Sequence, residues 1–291
     1  MSEELAELLN ILEIEQLEVD LFRGVGGGGE TTVRIFGGQV IAQALAAAYK
    51  TVEGRLCHSL HAYFIRAGDP SIPVVYQVDR ARDGGSFTTR RVVAVQHGKQ
   101  ILNMSASFHV DEAGLDHQHT MPNVNGPDGL QSRAEQREEN KNRIPEKYRS
   151  DFLRKRPIEI CEVAPQDWFE PVKASDENFL WFRVPGAYGA DATMQHCLLA
   201  YASDMNLLGS SLRPHGTSFF KGQVMTASLD HAMWFHKPVN FDDWHLYSMD
   251  SPFTGSARGF NRGTIYTQSG VLVASVAQEG LVRPIIKDKK S

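Results

Sequence analysis

Two polar side chains occupy positions where the sequence pattern predicts an apolar interior. Asp204 lies on the flank of an apolar helical stripe in MQHCLLAYASDMNLL, three residues after Tyr201. Gln278 lies in GVLVASVAQEG, in register with the alternating apolar residues that end at Val276. A carboxylate that is buried without a hydrogen bond costs several kcal/mol, so Asp204 requires either a structural partner or a functional site. Because both residues belong to the same half of the chain, we expect them to share one site.

Further candidates lie in TASLDHAMWFHKP, residues 226–238. Its histidines, His231 and His236, could act as general acids or bases, and its hydroxyl groups could hydrogen-bond a water molecule or a substrate. His231 would share a strand face with Met233 and Phe235, which predicts a buried, hydrogen-bonded core histidine rather than a reactive one.

Metal and nucleotide motifs are weak or absent. No metal is expected, because the histidine pairs His58/His61, His117/His119 and His231/His236 lack H-E-x-x-H or cysteine-rich spacing. His58, on the strand that precedes the first sheet, keeps a possible accessory role. The stretch GVGGGG at 24–29 contains G-x-G-x-x-G, but ETTVRIF after it looks extended, which favours a flexible loop over a dinucleotide site. The Walker and G-x-S-x-G patterns are absent, which excludes P-loop enzymes and α/β-hydrolases.

The composition predicts a globular, cytoplasmic protein. A chain of 291 residues with 42% hydrophobic content can bury one large core or two ordinary ones. The net charge of -5 argues against nucleic-acid binding, which needs surplus basic residues. The widely spaced Cys57, Cys161 and Cys197 favour a reducing compartment. The acidic, amphipathic start and the lack of a long apolar run predict no secretory signal and no membrane span.

Two segments resemble each other, which predicts a duplicated unit. At shifts of 170 or 171 positions, the matches are His61-Ala62 with His231-Ala232, Asp79 with Asp250, Gly84 with Gly255 and Arg91 with Arg262. Each copy follows a helical pattern, GGQVIAQALAAAYKTV or DATMQHCLLAYASDMNLL, and contains about four strands. We therefore expect an α+β fold with an N-terminal repeat at 1–113, a polar linker at 114–157 and a C-terminal repeat at 158–291. One short exposed helix is expected in the linker, whose charge run predicts a solvated face rather than a binding surface.

A helix wrapped by a long antiparallel sheet, used twice, resembles the double hotdog fold. Longer motifs are similar to those of the type II acyl-CoA thioesterases: FGGQVIAQAL, HSLHAYFIRAGDP, RDGGSFTTRRV, YASDMNLL, LDHAMWFHKP and YTQSGVLVASVAQEG. The resemblance covers nearly the whole chain, from about residue 5 to residue 284. It implies hydrolysis of fatty acyl-CoA to free fatty acid and CoA, without a metal or an organic cofactor.

The resemblance also implies catalytic roles for three residues, Asp204, Ser228 and Gln278. Asp204 would deprotonate a water molecule, and Ser228 and Gln278 would hold that water against the thioester carbonyl. The family more often has threonine at the position of Ser228, so this hydroxyl lacks the methyl group that fixes the rotamer. By analogy with the fold, backbone N–H groups near Gly37 and Gly38 would stabilise the oxyanion. Asp230, His231 and His236 would then contribute packing and a polar edge.

Two other functions stay open. The fragment SDMN resembles the D-x-N of hotdog enoyl-CoA hydratases, although the next histidine, His215, is eleven residues after Asp204 instead of five. A non-catalytic acyl-CoA sensor could use the same pocket.

The expected partners are the acyl-CoA substrate and further copies of the chain. A hotdog sheet leaves a face that its own helix does not cover, which predicts a homodimer or a homotetramer. The basic residues that could bind the CoA phosphates form an unranked pool: Arg66, Arg90, Arg91, Lys237, Arg258 and Arg262.

Overall fold

The computed structural model of the chain describes residues 1–27, 30 and 33–285. Its α-helices are α1 (Glu3–Leu12), α2 (Gly37–Tyr49), α3 (Arg133–Asn140), α4 (Glu146–Leu153) and α5 (Ala192–Ser203). Short 3₁₀ helices span Lys141–Arg143, Ala187–Gly189 and Leu207–His215. The strands are β1 (Glu15–Glu18), β2 (Leu21–Gly24), β3 (Leu56–Phe64), β4 (Val74–Asp83), β5 (Phe87–Gln96), β6 (Lys99–His109), β7 (Glu159–Glu162), β8 (Asn178–Arg183), β9 (Val224–Ser228), β10 (Asp230–Phe235), β11 (His245–Gly255), β12 (Arg258–Thr267) and β13 (Leu272–Pro284).

Two nearly fully buried helices, α2 and α5, pack against each other at the centre of the molecule. The sequence of α2, GGQVIAQALAAAY, is small and apolar on almost every side, which is typical of a buried helix. Helix α5 begins at the N-cap Asp191, whose side chain accepts a hydrogen bond from the backbone N–H of Met194. Both helices were predicted from their patterns, and both are confirmed.

The two helices are covered by one antiparallel sheet of thirteen strands. Its order is β1-β2-β4-β5-β6-β3-β10-β13-β12-β11-β8-β7, and β9 pairs with β13. The two halves meet where His231 pairs with Ala62 and Ala232 pairs with His61. This reciprocal register relates the two copies of the unit by a local two-fold axis. The internal repeat and the α+β, double hotdog fold class are therefore confirmed.

Each half has more strands than the sequence pattern indicates. Strands β1, β2 and β7 are four residues long, too short for a period-two alternation to be recognisable. In the linker, two short helices, α3 and α4, replace the single helix expected there. Ser132 and Glu135 form a capping box at the start of α3, and this S-x-x-E pattern is the signal that could have located that helix.

The chain before α2 differs from its sequence-based expectation. Residues 33–36 form no strand. Val33 and Arg34 lie in a bend, whereas Phe36 has the extended backbone angles expected for ETTVRIF. The described residues do not include Gly28, Gly29, Thr31 and Thr32. Part of the Gly-rich stretch therefore lies outside them. Among the residues described, no helix has the length and apolar character needed to cross a membrane.

Candidate active site

Asp204 lies at the end of α5, where it is the C-cap residue. Its carboxylate points at the first turn of α2, and the backbone N–H of Gly38 donates to Oδ2 over 2.9 Å. The side chain is only 5% exposed. A Cβ atom on Gly37 would lie 2.6 Å from the same Oδ2, so the close approach of α2 to Asp204 requires glycine there. The inward orientation predicted for Asp204 is confirmed.

Two further side chains converge on the other carboxylate oxygen. Nε2 of Gln278, in β13, donates to Oδ1 of Asp204 over 2.6 Å, and the hydroxyl of Ser228 donates to the same atom over 3.4 Å. The pairing of β9 with β13 places Ser228 opposite Gly280, next to the Gln278 position. Gln278 is 1% exposed, which confirms that its amide points inward. The structure thus brings together all three residues that the resemblance singled out.

His231 belongs to the same hydrogen-bond network. Its Nδ1 lies 3.2 Å from Nε2 of Gln278, and its Nε2 lies 2.9 Å from Oγ of Ser203. The hydroxyl of Ser203 donates to the carbonyl of Ala200, so it must accept a hydrogen from His231 Nε2. Nδ1 is then the acceptor for Gln278. These contacts fix one neutral tautomer of a fully buried histidine, as the strand pattern predicted, but its contact with the catalytic candidates was not foreseen.

The buried location decides the protonation of these groups. Burial raises the pKa of Asp204 to about 6, against the opposing hydrogen bonds from Gln278, Gly38 and Ser228. Burial lowers the pKa of His231 to about 3, so this imidazole is neutral at physiological pH. Asp204 is therefore a carboxylate near neutral pH, and more basic than an ordinary aspartate.

A cavity of about 410 Å³ opens onto this cluster. Its wall includes Gly37, Asp204 and Ser228. Most of the other lining residues are apolar, among them Ile35, Phe36, Val40, Phe64, Ile65, Ile101, Leu102, Leu208, Phe219 and Leu229, and the polar ones are Arg34, Arg66, Asn206 and Thr226. Oε1 of Gln278 is buried with no hydrogen-bond partner among the described residues. A larger cavity of about 1110 Å³ lies elsewhere and contains none of the three candidates, so we place the site in the smaller one. The arrangement offers one base at the wall of a mainly apolar chamber, and one buried, unpaired acceptor on the amide that is bonded to this base.

Other candidates from the sequence lie apart from the cluster or have other contacts. The N–H of Gly38 is bonded to Asp204, so the expectation that it is available to an oxyanion is wrong. His58 hydrogen-bonds Ser107 and lines the 1110 Å³ cavity instead. His236 hydrogen-bonds Ser275. Within the part of the chain that is described, no group of three His, Cys, Asp or Glu side chains is arranged to hold a metal ion.

The structure removes one residue, Arg90, from the pool of candidates for phosphate binding. Arg90 is 1% exposed and binds Thr51 and Asp83, so it cannot reach a ligand. Lys237, Arg258 and Arg262 are paired with acidic side chains, and Arg91 lies in none of the described cavities. Of the pool, Arg66 alone lines the cavity at Asp204.

Comparison with known proteins agrees with the geometry over both halves. A family model described as acyl-CoA thioesterase matches residues 149–281, and one described as the acyl-CoA thioesterase N-terminal domain matches residues 28–109. Acyl-CoA thioesterase 2 of Haemophilus influenzae is 37% identical over 97% of this chain and 99% of its own. Acyl-coenzyme A thioesterase 8 of Mus musculus is 42% identical over 97% of this chain and 91% of its own. The crystal structure of an acyl-CoA thioesterase II from Mycobacterium marinum, 39% identical, covers 98% of this chain and 99% of its own with a TM-score of 0.77. The chain therefore belongs to the type II acyl-CoA thioesterase family.

Proposed function

We propose that the protein hydrolyses fatty acyl-CoA to free fatty acid and CoA by direct attack of water, with Asp204 as the general base. The observation that supports this most is the buried Oε1 of Gln278, which has no partner among the described residues and lies on the amide bonded to Asp204. A water molecule can donate one hydrogen to this oxygen and the other to Asp204. Its lone pair is then free to face a thioester carbon.

In the proposed reaction Asp204 is first the proton acceptor and then the proton donor. Asp204 accepts a proton as the water oxygen bonds to the carbonyl carbon, and the carbonyl oxygen becomes an oxyanion. The intermediate collapses with cleavage of the C–S bond, and the proton on Asp204 passes to the CoA sulfur. Ser228 keeps the carboxylate oriented by donating to Oδ1.

We propose Gly37 as the oxyanion donor. Gly38 is already bonded to Asp204, whereas Gly37 opens the first turn of α2, where N–H groups have no acceptor within the helix. Gly37 also lines the cavity. An N–H group at a helix N-terminus carries the partial positive charge that an oxyanion requires.

An acyl-enzyme on Ser228 is disfavoured by the same geometry. Its one hydrogen-bonded side-chain partner among the described residues is Asp204, at a long 3.4 Å, and no histidine contacts it. Activation of a serine nucleophile requires a base within close hydrogen-bonding reach. Water is therefore the nucleophile that we propose.

The test is thiol release from purified protein with acyl-CoA substrates of increasing chain length, with and without a chelator. Equal amounts of free thiol and fatty acid, at rates that the chelator does not change, are expected. Recovery of intact acyl-CoA would instead indicate a sensor, and loss of an enoyl double bond without thiol release would indicate a hydratase. The identity with acyl-CoA thioesterases along nearly the whole chain favours hydrolysis over both alternatives.

The wider setting of the protein is also proposed. We keep the division into an N-terminal repeat (1–113), a linker (114–157) and a C-terminal repeat (158–291). A cytoplasmic location is supported by the three cysteines, all free and buried. A homodimer or a homotetramer is supported by the outer face of β3 and β10, which the helices leave uncovered and where Tyr63 is 61% exposed.

A further inference from the structure

A second cavity, of about 720 Å³, adjoins the one at Asp204. It lies between the linker helices α3 and α4, the 3₁₀ segment Leu207–His215 and the loop that carries Trp168. Asn206 and Phe219 line both cavities, so the two spaces share a wall. The second cavity is therefore the neighbour of the space that contains Asp204.

The second cavity carries an excess of positive charge. Five arginines line it against three acidic side chains, and they are Arg133, Arg137, Arg143, Arg156 and Arg213 against Asp151, Glu162 and Asp167. Three of the arginines are ion-paired, Arg133 with Glu162, Arg143 with Asp167 and Arg156 with Glu30. Arg137 has no carboxylate within ion-pair distance among the residues that the structure describes. Burial, followed by repulsion from Arg156 and Arg133, lowers the pKa of Arg137 to about 9, so it remains a cation at neutral pH. An anion placed here would relieve the repulsion among these guanidinium groups.

Unpaired polar atoms also line this cavity. Nε of Arg133, Nδ2 of Asn206 and Oγ1 of Thr217 are buried and have no hydrogen-bond partner among the described residues. All three can donate a hydrogen bond, so they are suited to a ligand rich in acceptor oxygens. Asn206 is held at a positive φ of 66°, a conformation uncommon outside glycine and frequent at functional sites.

Aromatic side chains also line this cavity. Trp168 and Phe220 are stacked with ring centroids 5.7 Å apart, and Phe152 meets both rings edge-on. Flat aromatic surfaces beside arginines favour a ligand that combines a planar ring with phosphates, because rings stack and guanidinium groups bind phosphate oxygens.

We infer that this cavity binds the phosphorylated adenine nucleotide of the acyl-CoA substrate, with Arg137 as a principal phosphate contact. The inference rests on the proposed function and adds a location for the half of the substrate that does not react. The inference requires the pantetheine arm to pass between the two cavities, which are adjacent at Asn206 and Phe219. The linker therefore takes part in binding, in contrast to the solvated face expected from its charge run.

Arg137→Gln tests the inference with two substrates of the same acid, the acyl-CoA and the acyl-N-acetylcysteamine thioester, which lacks the nucleotide. Loss of a charged hydrogen bond to phosphate should raise KM for acyl-CoA about tenfold to a hundredfold. The kcat for acyl-CoA, and kcat/KM for the short thioester, should stay within about twofold, since no reacting group is changed. Thr217→Val, which removes one unpaired hydroxyl, should raise the same KM about threefold or more.

Arg82→Gln is the matched control, with the same change of charge at an exposed position outside every described cavity, and should leave both substrates unaffected. An unchanged KM for acyl-CoA in both Arg137→Gln and Thr217→Val overturns the inference. Equal loss on both substrates also overturns it, because it indicates a structural role. Failure of the proposed function would give a different result, because the unmodified protein would then release thiol from neither substrate.

The affinity for CoA, measured by calorimetry, gives a second test that does not depend on catalysis. It should be weaker in Arg137→Gln than in the parent protein, and equal affinity would count against the inference.

Discussion

At the residue scale, the site depends on one carboxylate whose ionisation is made costly by burial. The pKa of Asp204 is raised from 3.8 to about 6, a shift that corresponds to about 3 kcal/mol. Because the folded state binds the proton more tightly than the unfolded state, stability is greatest below the ordinary pKa and falls as the pH rises between 3.8 and about 6. At neutral pH the ionised carboxylate of Asp204 therefore lowers the stability of the fold, and it is a stronger proton acceptor than an ordinary aspartate.

Asp204→Asn should lower kcat about 10² to 10⁴-fold with little change in KM, because it removes the proton acceptor and keeps the size of the side chain. The free energy of unfolding at pH 7.5 should not fall, because the substitution also removes the destabilising buried charge. Steady-state thiol release and thermal unfolding measure the two quantities. Asp79→Asn, an exposed change in β4, is the control. An unfolded Asp204→Asn protein, or one with kcat within a few-fold of the parent, would show that Asp204 is structural.

The pH profile provides a second measurement of the same residue. Asp204 must be ionised to accept a proton, so kcat/KM should fall tenfold for each pH unit below an apparent pKa of about 6. His231 cannot supply this limb, because burial lowers its pKa to about 3. The profile should be recorded at constant ionic strength, with folding checked by circular dichroism at each pH. A flat profile down to pH 5 would contradict the assignment of Asp204 as the base.

His231 should act as a positioning residue for the amide of Gln278. His231→Phe removes the acceptor for Gln278 Nε2, so the amide is freer to turn away from Asp204. The hydrogen bond from Gln278 lowers the pKa of Asp204, and its loss should move the acid limb above pH 6, together with a fall in kcat of about tenfold or more. His58→Phe is the control in the larger cavity. A lower Tm with an unmoved acid limb would assign His231 to packing alone.

At the element scale, the site is built where the end of α5 meets the start of α2. Gly37→Ala isolates this contact, because alanine favours a helix over glycine by about 1 kcal/mol and would otherwise stabilise α2. The new Cβ would lie 2.6 Å from Asp204 Oδ2 and 2.9 Å from Phe64, so one of them must move. We expect kcat to fall about tenfold to a hundredfold while the protein stays folded. Gly126→Ala, where a Cβ would meet nothing, is the matched control, and equal activity in the two variants would refute the contact.

The sequence predicts the long elements and misses the short ones for a physical reason. Helix α5 and strand β13 are each more than ten residues long, so periods of 3.6 and 2 are visible and locate Asp204 and Gln278 on inward faces. Strands β1 and β7 have four residues each, and pairing with neighbours decides their conformation. No periodicity marks Ser228, which was found through resemblance. Asp204, Gly38 and Gln278 meet through tertiary packing, so their mutual distances could not be predicted.

At the scale of the whole molecule, duplication produced two halves with different uses. The central strands β3 and β10 pair reciprocally, yet only the second copy supplies the base, the hydroxyl and the amide. The first copy contributes the start of α2, which holds Asp204 through Gly38. Neither half alone contains the complete cluster. A single chain with both copies is therefore the smallest unit that we expect to be active.

The outer face of the central strands gives the last prediction. The inner residues Leu60, Ala62 and Met233 are buried beneath the helices, whereas Tyr63 on the opposite face is 61% exposed. Beside it, the rings of His61 and Trp234 lie 5.2 Å apart. An uncovered aromatic face at the middle of a sheet favours back-to-back pairing of two chains.

Light scattering at micromolar concentration should therefore give the mass of a dimer or a tetramer. Tyr63→Lys places a charge in this face and should shift the mass toward the monomer, because burying an unpaired charge is costly. Tyr188→Lys makes the same change at a site that is 77% exposed and belongs to the 3₁₀ helix Ala187–Gly189 instead of these strands, and should leave the mass unchanged. Since Tyr63 is not among the residues that line the cavity at Asp204, activity on acyl-CoA should persist in the dissociated variant. A monomeric parent protein, or equal masses for the two variants, would show that this face is not the interface.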